Sequence, residues 1–176
     1  MLETGVIRTY YDEDHTILKE EYFQINEKKE GMYKKYCYKS EQIKEEVNYI
    51  DDKKQGIYRS YHENGQIKEE VNYIDDKKKG IYRKYYENGQ LKEEINYRND
   101  KKHGFYKYYD DYGRLSEEIN YIDDKKHGIY KKYNAYGGVS KKVYYIDDKK
   151  QGFLKTYYSN GKLRKKVLYI DDKNLG

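Results

Sequence analysis

Gly56–Lys79 reads GIYRSYHENGQIKEEVNYIDDKKK, and the next 24 residues, Gly80–His103, read GIYRKYYENGQLKEEINYRNDKKH. The pattern opens again at Gly104, Gly128 and Gly152, each 24 residues on. Two looser copies precede it. One begins at Gly31 and carries an extra residue within Cys37–Gln42; the other begins at Gly5 and carries two within Tyr11–Ile17. Seven copies (5–30, 31–55, 56–79, 80–103, 104–127, 128–151 and 152–175) account for the chain, and Gly176 stands where an eighth would open. A fixed period of this length is the mark of a repeat architecture, in which one supersecondary unit is stacked on its own copies. The expectation is one repeat domain over 1–176.

Within a copy, Asn64-Gly65 is a strong hairpin signal, because a two-residue type I′ turn needs positive φ at both central residues. Asn88-Gly89 and Asn160-Gly161 repeat it, with Tyr112-Gly113 and Gly137-Gly138 as variants. Pairing outward from Asn64-Gly65 sets His62 against Ile67, Tyr61 against Lys68 and Ser60 against Glu69. Further out, Arg59 faces Glu70, Tyr58 faces Val71, Ile57 faces Asn72 and Gly56 faces Tyr73. Alternation along a strand then puts Tyr58, Ile67, Val71 and Tyr73 on one face, with Gly56 making room beneath Tyr73. Ile57, Tyr61 and the Arg59–Glu70 pair fall on the other. The next copy places Gly80, Tyr82, Tyr85, Asn88, Gly89 and Tyr97 at the matching positions. The polar segment Asp75–Gly80 reads as a second turn. The fold class is therefore all-β: an elongated, single-layer antiparallel meander of repeated hairpins, about fourteen strands in all.

Of 176 residues, 36% are hydrophobic and 39% charged, with a mean hydropathy of −1.36. Such values suit a disordered chain. The 27 tyrosines argue otherwise, since each supplies a large apolar ring with a hydroxyl that can stay wet, which fits a sheet with two half-open faces. Stability is expected from contacts between neighbouring repeats. The single cysteine, Cys37, allows no internal disulfide and fits a reducing, cytoplasmic compartment. No apolar run or leader pattern points to a membrane span or secretion.

Charge is uneven. Residues 128–176 hold 12 basic and 4 acidic side chains, a net of +8; residues 1–127 hold 25 and 28, a net of −3. The cause is local. The Glu-Glu step of the second strand (Glu45-Glu46, Glu69-Glu70, Glu93-Glu94, Glu117-Glu118) becomes Lys141-Lys142 and Lys165-Lys166. The pairing then sets Lys131 against Lys142, Lys132 against Lys141 and Lys155 against Lys166. Directly opposed like charges destabilise a sheet, so these seven lysines are the candidate site for an anionic partner, against the plainer account of lysines splayed into water.

Other chemistry is weaker. His103 and His127 replace Gln55, Lys79 and Gln151 at one repeat position, which suits surface turn residues better than metal ligands. The Asp-Asp steps lack the calcium-loop spacing and read as turn formers. Cys37 has no histidine in its repeat to activate it. The glycines fall one per turn rather than in a phosphate-cradling cluster. Tyrosine interleaved with lysine can bind single strands of nucleic acid, but the tyrosines recur in the acidic repeats as well, which makes nucleic acid an unlikely partner. No catalytic residue, metal or cofactor is expected.

The segment Gly80, Tyr82, Tyr85, Asn88-Gly89, Leu91-Lys92-Glu93-Glu94 and Tyr97, with its counterparts in each copy, resembles the MORN repeat, in particular the variant class of YwqK-like bacterial antitoxins. Repeat 1 departs most, with Glu13-Asp14-His15 where Asn-Gly is expected. The Ile/Lys/Asn/Asp/Tyr bias and the YIDDKKxG linker also resemble MORN proteins of amoeba-infecting giant viruses, a source that implies the host cytoplasm. The resemblance implies a non-enzymatic scaffold for protein–protein contact. Homodimers through end strands or antiparallel contact are expected, with an antitoxin role or attachment to acidic lipids through the basic repeats as alternatives. The C-terminal edge, Lys173-Asn174-Leu175-Gly176, shows no cap in the sequence.

Overall fold

The computed structural model describes residues 4–38 and 40–176. These fall into two compact units, Met1–Gly89 and Gln90–Gly176. Unit 1 holds β1 (Thr4–Tyr10), β2 (Leu18–Ile25), β3 (Lys28–Tyr36), β4 (Ile43–Ile50), β5 (Lys53–Tyr61), β6 (Ile67–Ile74) and β7 (Lys77–Tyr85). Unit 2 holds β8 (Leu91–Arg98), β9 (Lys101–Tyr109), β10 (Leu115–Ile122), β11 (Lys125–Tyr133), β12 (Val139–Ile146), β13 (Lys149–Tyr157), β14 (Leu163–Ile170) and β15 (Lys173–Asn174). In each unit every strand pairs antiparallel with the next in the chain. The all-β hairpin meander is the observed fold. Among the described residues there is no helix, and so none long and apolar enough to cross a membrane.

The register of the inner hairpin agrees with the sequence from Gly56↔Tyr73 through Ser60↔Glu69. It then slips: Tyr61 pairs with Ile67, and Lys68 is the extra residue of a bulge. The bulge moves Ile67 opposite Tyr61 and out of the Tyr58–Val71 set. Its origin is the loop. Gly65 N–H donates to the His62 carbonyl (2.9 Å) and His62 N–H to the Gln66 carbonyl (2.8 Å). The loop is therefore the three residues Glu63-Asn64-Gly65, with Gly65 at φ +82 and Asn64 outside the left-handed region. Asn64 Oδ1 instead accepts the Gln66 N–H at 3.0 Å. A tight turn closed by a left-handed glycine is the usual three-residue hairpin.

The two-residue turns with positive φ at both positions lie at the linkers. Asp75 and Asp76 have φ of 49° and 64°, and Asp51-Asp52, Asp123-Asp124, Asp147-Asp148 and Asp171-Asp172 match them. The linker is thus shorter than the sequence reading had it, because Lys77–Gly80 already belongs to β7. Aspartate tolerates this region better than most side chains. The second aspartate also binds the strand that follows the preceding linker. Asp76 N–H donates to the Lys54 carbonyl (3.1 Å) while its Oδ1 accepts the Lys54 N–H (2.8 Å). Asp52 on Lys29, Asp124 on Lys102, Asp148 on Lys126 and Asp172 on Lys150 do the same.

Gly56 does not make room for Tyr73. A Cβ there would touch nothing within 4 Å; its φ of +85° is what requires glycine. It sits where β4 and β5 lose register, between Glu46↔Arg59 and Asn48↔Gln55.

Each unit has a thin core column of its own. Val47 and Val71 in unit 1, and Ile95, Ile119, Val143 and Val167 in unit 2, are buried at one position per repeat. Tyrosines roof it: Tyr58 meets Tyr73 edge-on at 6.0 Å, and Tyr106 meets Tyr121 likewise. The second lysine of each linker caps these rings, with Lys54 Nζ 5.3 and 5.1 Å from Tyr58 and Tyr73, within the range of cation–π attraction.

Candidate functional site

Opposed residues share a sheet face, so the register turns the Arg59–Glu70 pair into one step of a longer ladder. In unit 1 its rungs are Arg8, Glu21, Lys34, Glu46, Arg59, Glu70 and Arg83, one per strand and strictly alternating in sign. In unit 2 they are Glu94, Lys107, Glu118, Lys131, Lys142, Lys155 and Lys166. Alternation stops at Lys131, and four cations follow one another on adjacent strands. All three lysine oppositions expected from the sequence are present.

The glutamates elsewhere have a second role. Tyr58 donates its hydroxyl to Glu45, 13 residues earlier (3.0 Å), and Tyr82 does so to Glu69 and Tyr106 to Glu93. On the ladder face Tyr61 donates to Glu46, 15 residues earlier (2.6 Å), and Tyr133 to Glu118 (2.8 Å). Burial and these carboxylates push the phenols of Tyr58, Tyr61, Tyr106 and Tyr133 up, that of Tyr61 to about 12. Lys131 Nζ also reaches Glu118 (2.7 Å), which holds the Glu118 carboxyl below its ordinary range and raises the Lys131 ammonium.

In the last two repeats the exchange of glutamate for lysine is compensated on one face and not on the other. Thirteen residues beyond Lys141 the recurring tyrosine is replaced by Leu154, which has no hydroxyl to place. Lys141 Nζ turns to the Tyr130 ring, 5.8 Å away. Fifteen residues beyond Lys142, Tyr157 remains, and the position that offers its counterparts a carboxylate is a lysine.

The structure thus divides the seven candidate lysines. Lys131, Lys142, Lys155 and Lys166 form one column on the ladder face. Lys132, Lys141 and Lys165 belong to the tyrosine face, with Lys132 paired to Glu117 at 3.1 Å and Lys141 and Lys165 flanking Thr156 in the register. His103 and His127 are strand residues rather than turn residues, half-buried, with Nδ1 at 3.4 and 3.8 Å from Asp123 and Asp147. Cys37 is half-buried and unbonded to another cysteine. The C-terminal edge is not bare: Leu175 N–H donates to the Leu168 carbonyl (2.9 Å), and Leu168 N–H to the Gly176 carbonyl (3.0 Å).

The sequence reading missed the apolar half of this face. Two register steps from the lysine column lie Ile129↔Tyr144 and Phe153↔Leu168. Tyr144 and Leu168 replace the Asn48, Asn72, Asn96 and Asn120 of earlier copies, a signal available from aligning the repeats. Two open hollows adjoin here. One, of about 320 Å³, includes Phe105, Lys107, Glu118, Ile129 and Tyr144 in its lining. The other, of about 250 Å³, is lined by Ile129, Lys142, Val143, Tyr144, Phe153 and Lys155. Lys166 Nζ sits 3.8 Å from the Phe153 ring centroid.

Comparison with known proteins bears on the repeats. A search of curated proteins gives no match. Two crystal structures of TarM overlap part of the chain. The S. aureus TarM glycine-to-arginine mutant with fondaparinux, α-GlcNAc-glycerol and UDP is 20% identical over 54% of this chain and 19% of its own, with a TM-score of 0.37. The second TarM structure is 21% identical over 55% and 19%, also at 0.37. Overlap that slight supports no functional reading. The MORN repeat variant model matches residues 54–75, 78–99 and 151–171, segments that run from one linker through a hairpin towards the next. These three segments are MORN-variant repeats, and the other copies form the same kind of hairpin.

Proposed function

We propose that the protein is a non-enzymatic scaffold whose open sheet face in unit 2 docks another protein. One observation carries this reading: the charge ladder, alternating at every rung before it, breaks into four successive lysines where the neighbouring asparagines give way to Tyr144 and Leu168. The lysine exchange does not help the sheet, since opposed like charges are unfavourable, and beside it Tyr144 lies exposed and Leu168 half-buried. MORN repeats as a class suggest repeat scaffolds that serve protein or membrane binding, which agrees with a surface built for contact.

The test is affinity capture from native lysate with three baits: the wild type, a Lys142→Glu/Lys155→Glu/Lys166→Glu variant and a Tyr144→Ser/Phe153→Ser variant. The reading expects the same proteins to be retained by the wild type and lost by both variants. Equal recovery on all three overturns the assignment to this face.

A further inference from the structure

We propose that the occupant of this face is an acidic amphipathic polypeptide segment, carrying a row of carboxylates beside a row of apolar side chains. The inference rests on the scaffold reading and adds the chemistry of the partner.

The lysine column and the apolar column run side by side. Adjacent strands are about 4.8 Å apart, so four rungs span about 14 Å, and two residues along a strand separate the columns by about 6.8 Å. Those are the spacings of neighbouring side chains on one side of a helix or an extended peptide. Lys131 already holds Glu118, whereas Lys142, Lys155 and Lys166 have no carboxylate partner among the described residues. They oppose one another in the register, so an incoming carboxylate between two of them relieves their repulsion as well as neutralising them. The apolar wall of the 250 Å³ hollow is Ile129, Tyr144 and Phe153, and Lys142 and Lys155 stand beside it on the same face. Apolar wall and cationic flank in one hollow suit a leucine or phenylalanine with an acidic neighbour.

A nucleic acid fits less well. Base stacking needs free ring faces, but Lys166 lies over Phe153 and Tyr144 packs edge-on with His127 at 6.5 Å. The other members of the apolar column, Ile129 and Leu168, are aliphatic.

The experiment uses the full chain and fluorescence anisotropy. The probe is a labelled synthetic peptide with a row of glutamates beside a row of leucines. It is compared with a scrambled peptide of equal composition, an all-Gln version, single-stranded oligothymidine and phosphatidylserine vesicles. The patterned peptide is expected to bind at least about tenfold tighter than the scrambled and Gln peptides, and to lose about tenfold on Lys142→Glu or on Tyr144→Ser/Phe153→Ser. The Lys142→Glu protein restores ladder alternation as far as Lys155, and an unchanged circular dichroism spectrum separates its loss of binding from a loss of structure. Equal affinity for patterned and scrambled peptides, undiminished binding by Lys142→Glu, or tighter binding to vesicles or oligothymidine overturns the proposal. Lysate partners lost on the variant baits yet resistant to about 0.5 M salt overturn it too, while leaving the scaffold reading in place.

Discussion

Changing Lys142 to Glu should make the protein more stable while removing its proposed ligand. Lys142 opposes Lys131 on one side and Lys155 on the other. The substitution converts two like-charge oppositions into two opposite-charge ones, each worth about 0.2–1 kcal/mol. It also sets a carboxylate where Glu46 and Glu118 accept the hydroxyls of Tyr61 and Tyr133, giving Tyr157 an acceptor worth about 0.5–1.5 kcal/mol. Lys142 is half-exposed, which places the charge terms at the low end. The expected gain is about 1–2 kcal/mol, or about 2–8 °C in Tm. Urea and thermal unfolding followed by circular dichroism measure it. About 1 M salt should remove much of the Coulombic part. Glu118→Lys is the converse: it lengthens the lysine run and takes the acceptor from Lys131 and Tyr133, at a cost of about 2–3 kcal/mol. A Lys142→Glu protein no more stable than the wild type refutes the ladder as a source of stability, and with it the claim that the lysine run is kept at the fold's expense.

Other outcomes follow from the repeat itself. Gly80→Ala meets no atom within 4 Å but must hold φ +84, so about 1 kcal/mol should be lost through backbone strain alone, read as a lower urea midpoint. Tyr58→Phe removes the hydroxyl bound to Glu45 at 3.0 Å and should cost about 1–2 kcal/mol; a neutral result would make that bond incidental. Asp76→Ala loses both tolerance of φ +64 and the acceptor for the Lys54 N–H, so amide exchange at Lys54 should quicken alongside a loss of about 1–3 kcal/mol. Tyr58, Tyr61, Tyr106 and Tyr130 are raised chiefly by burial, Tyr61 to about 12. The folded state therefore holds protons the unfolded chain has released, and stability should be intact below pH 10 and fall as pH rises through the folded values. Phenolate absorbance should climb cooperatively with unfolding; independent, stepwise titration would contradict the packing.

Much of this was legible in the sequence. The 24-residue period and strand alternation yield the meander, five of the inner cross-strand pairs and the lysine oppositions. The turns were read in the right places but with the wrong loop length, since Asn-Gly serves two-residue and three-residue loops alike. Only the His62–Gln66 bonding distinguishes them, and that choice carries the bulge at Lys68. The tyrosine–glutamate bonds span 13 and 15 residues, so they emerge only when the register between hairpins is known. The same holds for Gly56, whose need for glycine lies in a bulge between hairpins rather than in its own.

The paired bonds between Lys54 and Asp76 have a direction. The earlier residue presents an N–H and a carbonyl, and the residue 22 positions later supplies both partners. A completed repeat thus shows the emerging one a ready template, its lysine N–H and carbonyl open until the next linker closes on them. On a ribosome, where the N-terminal side appears first, such a protein can be laid down course upon course, each layer seated before the next arrives.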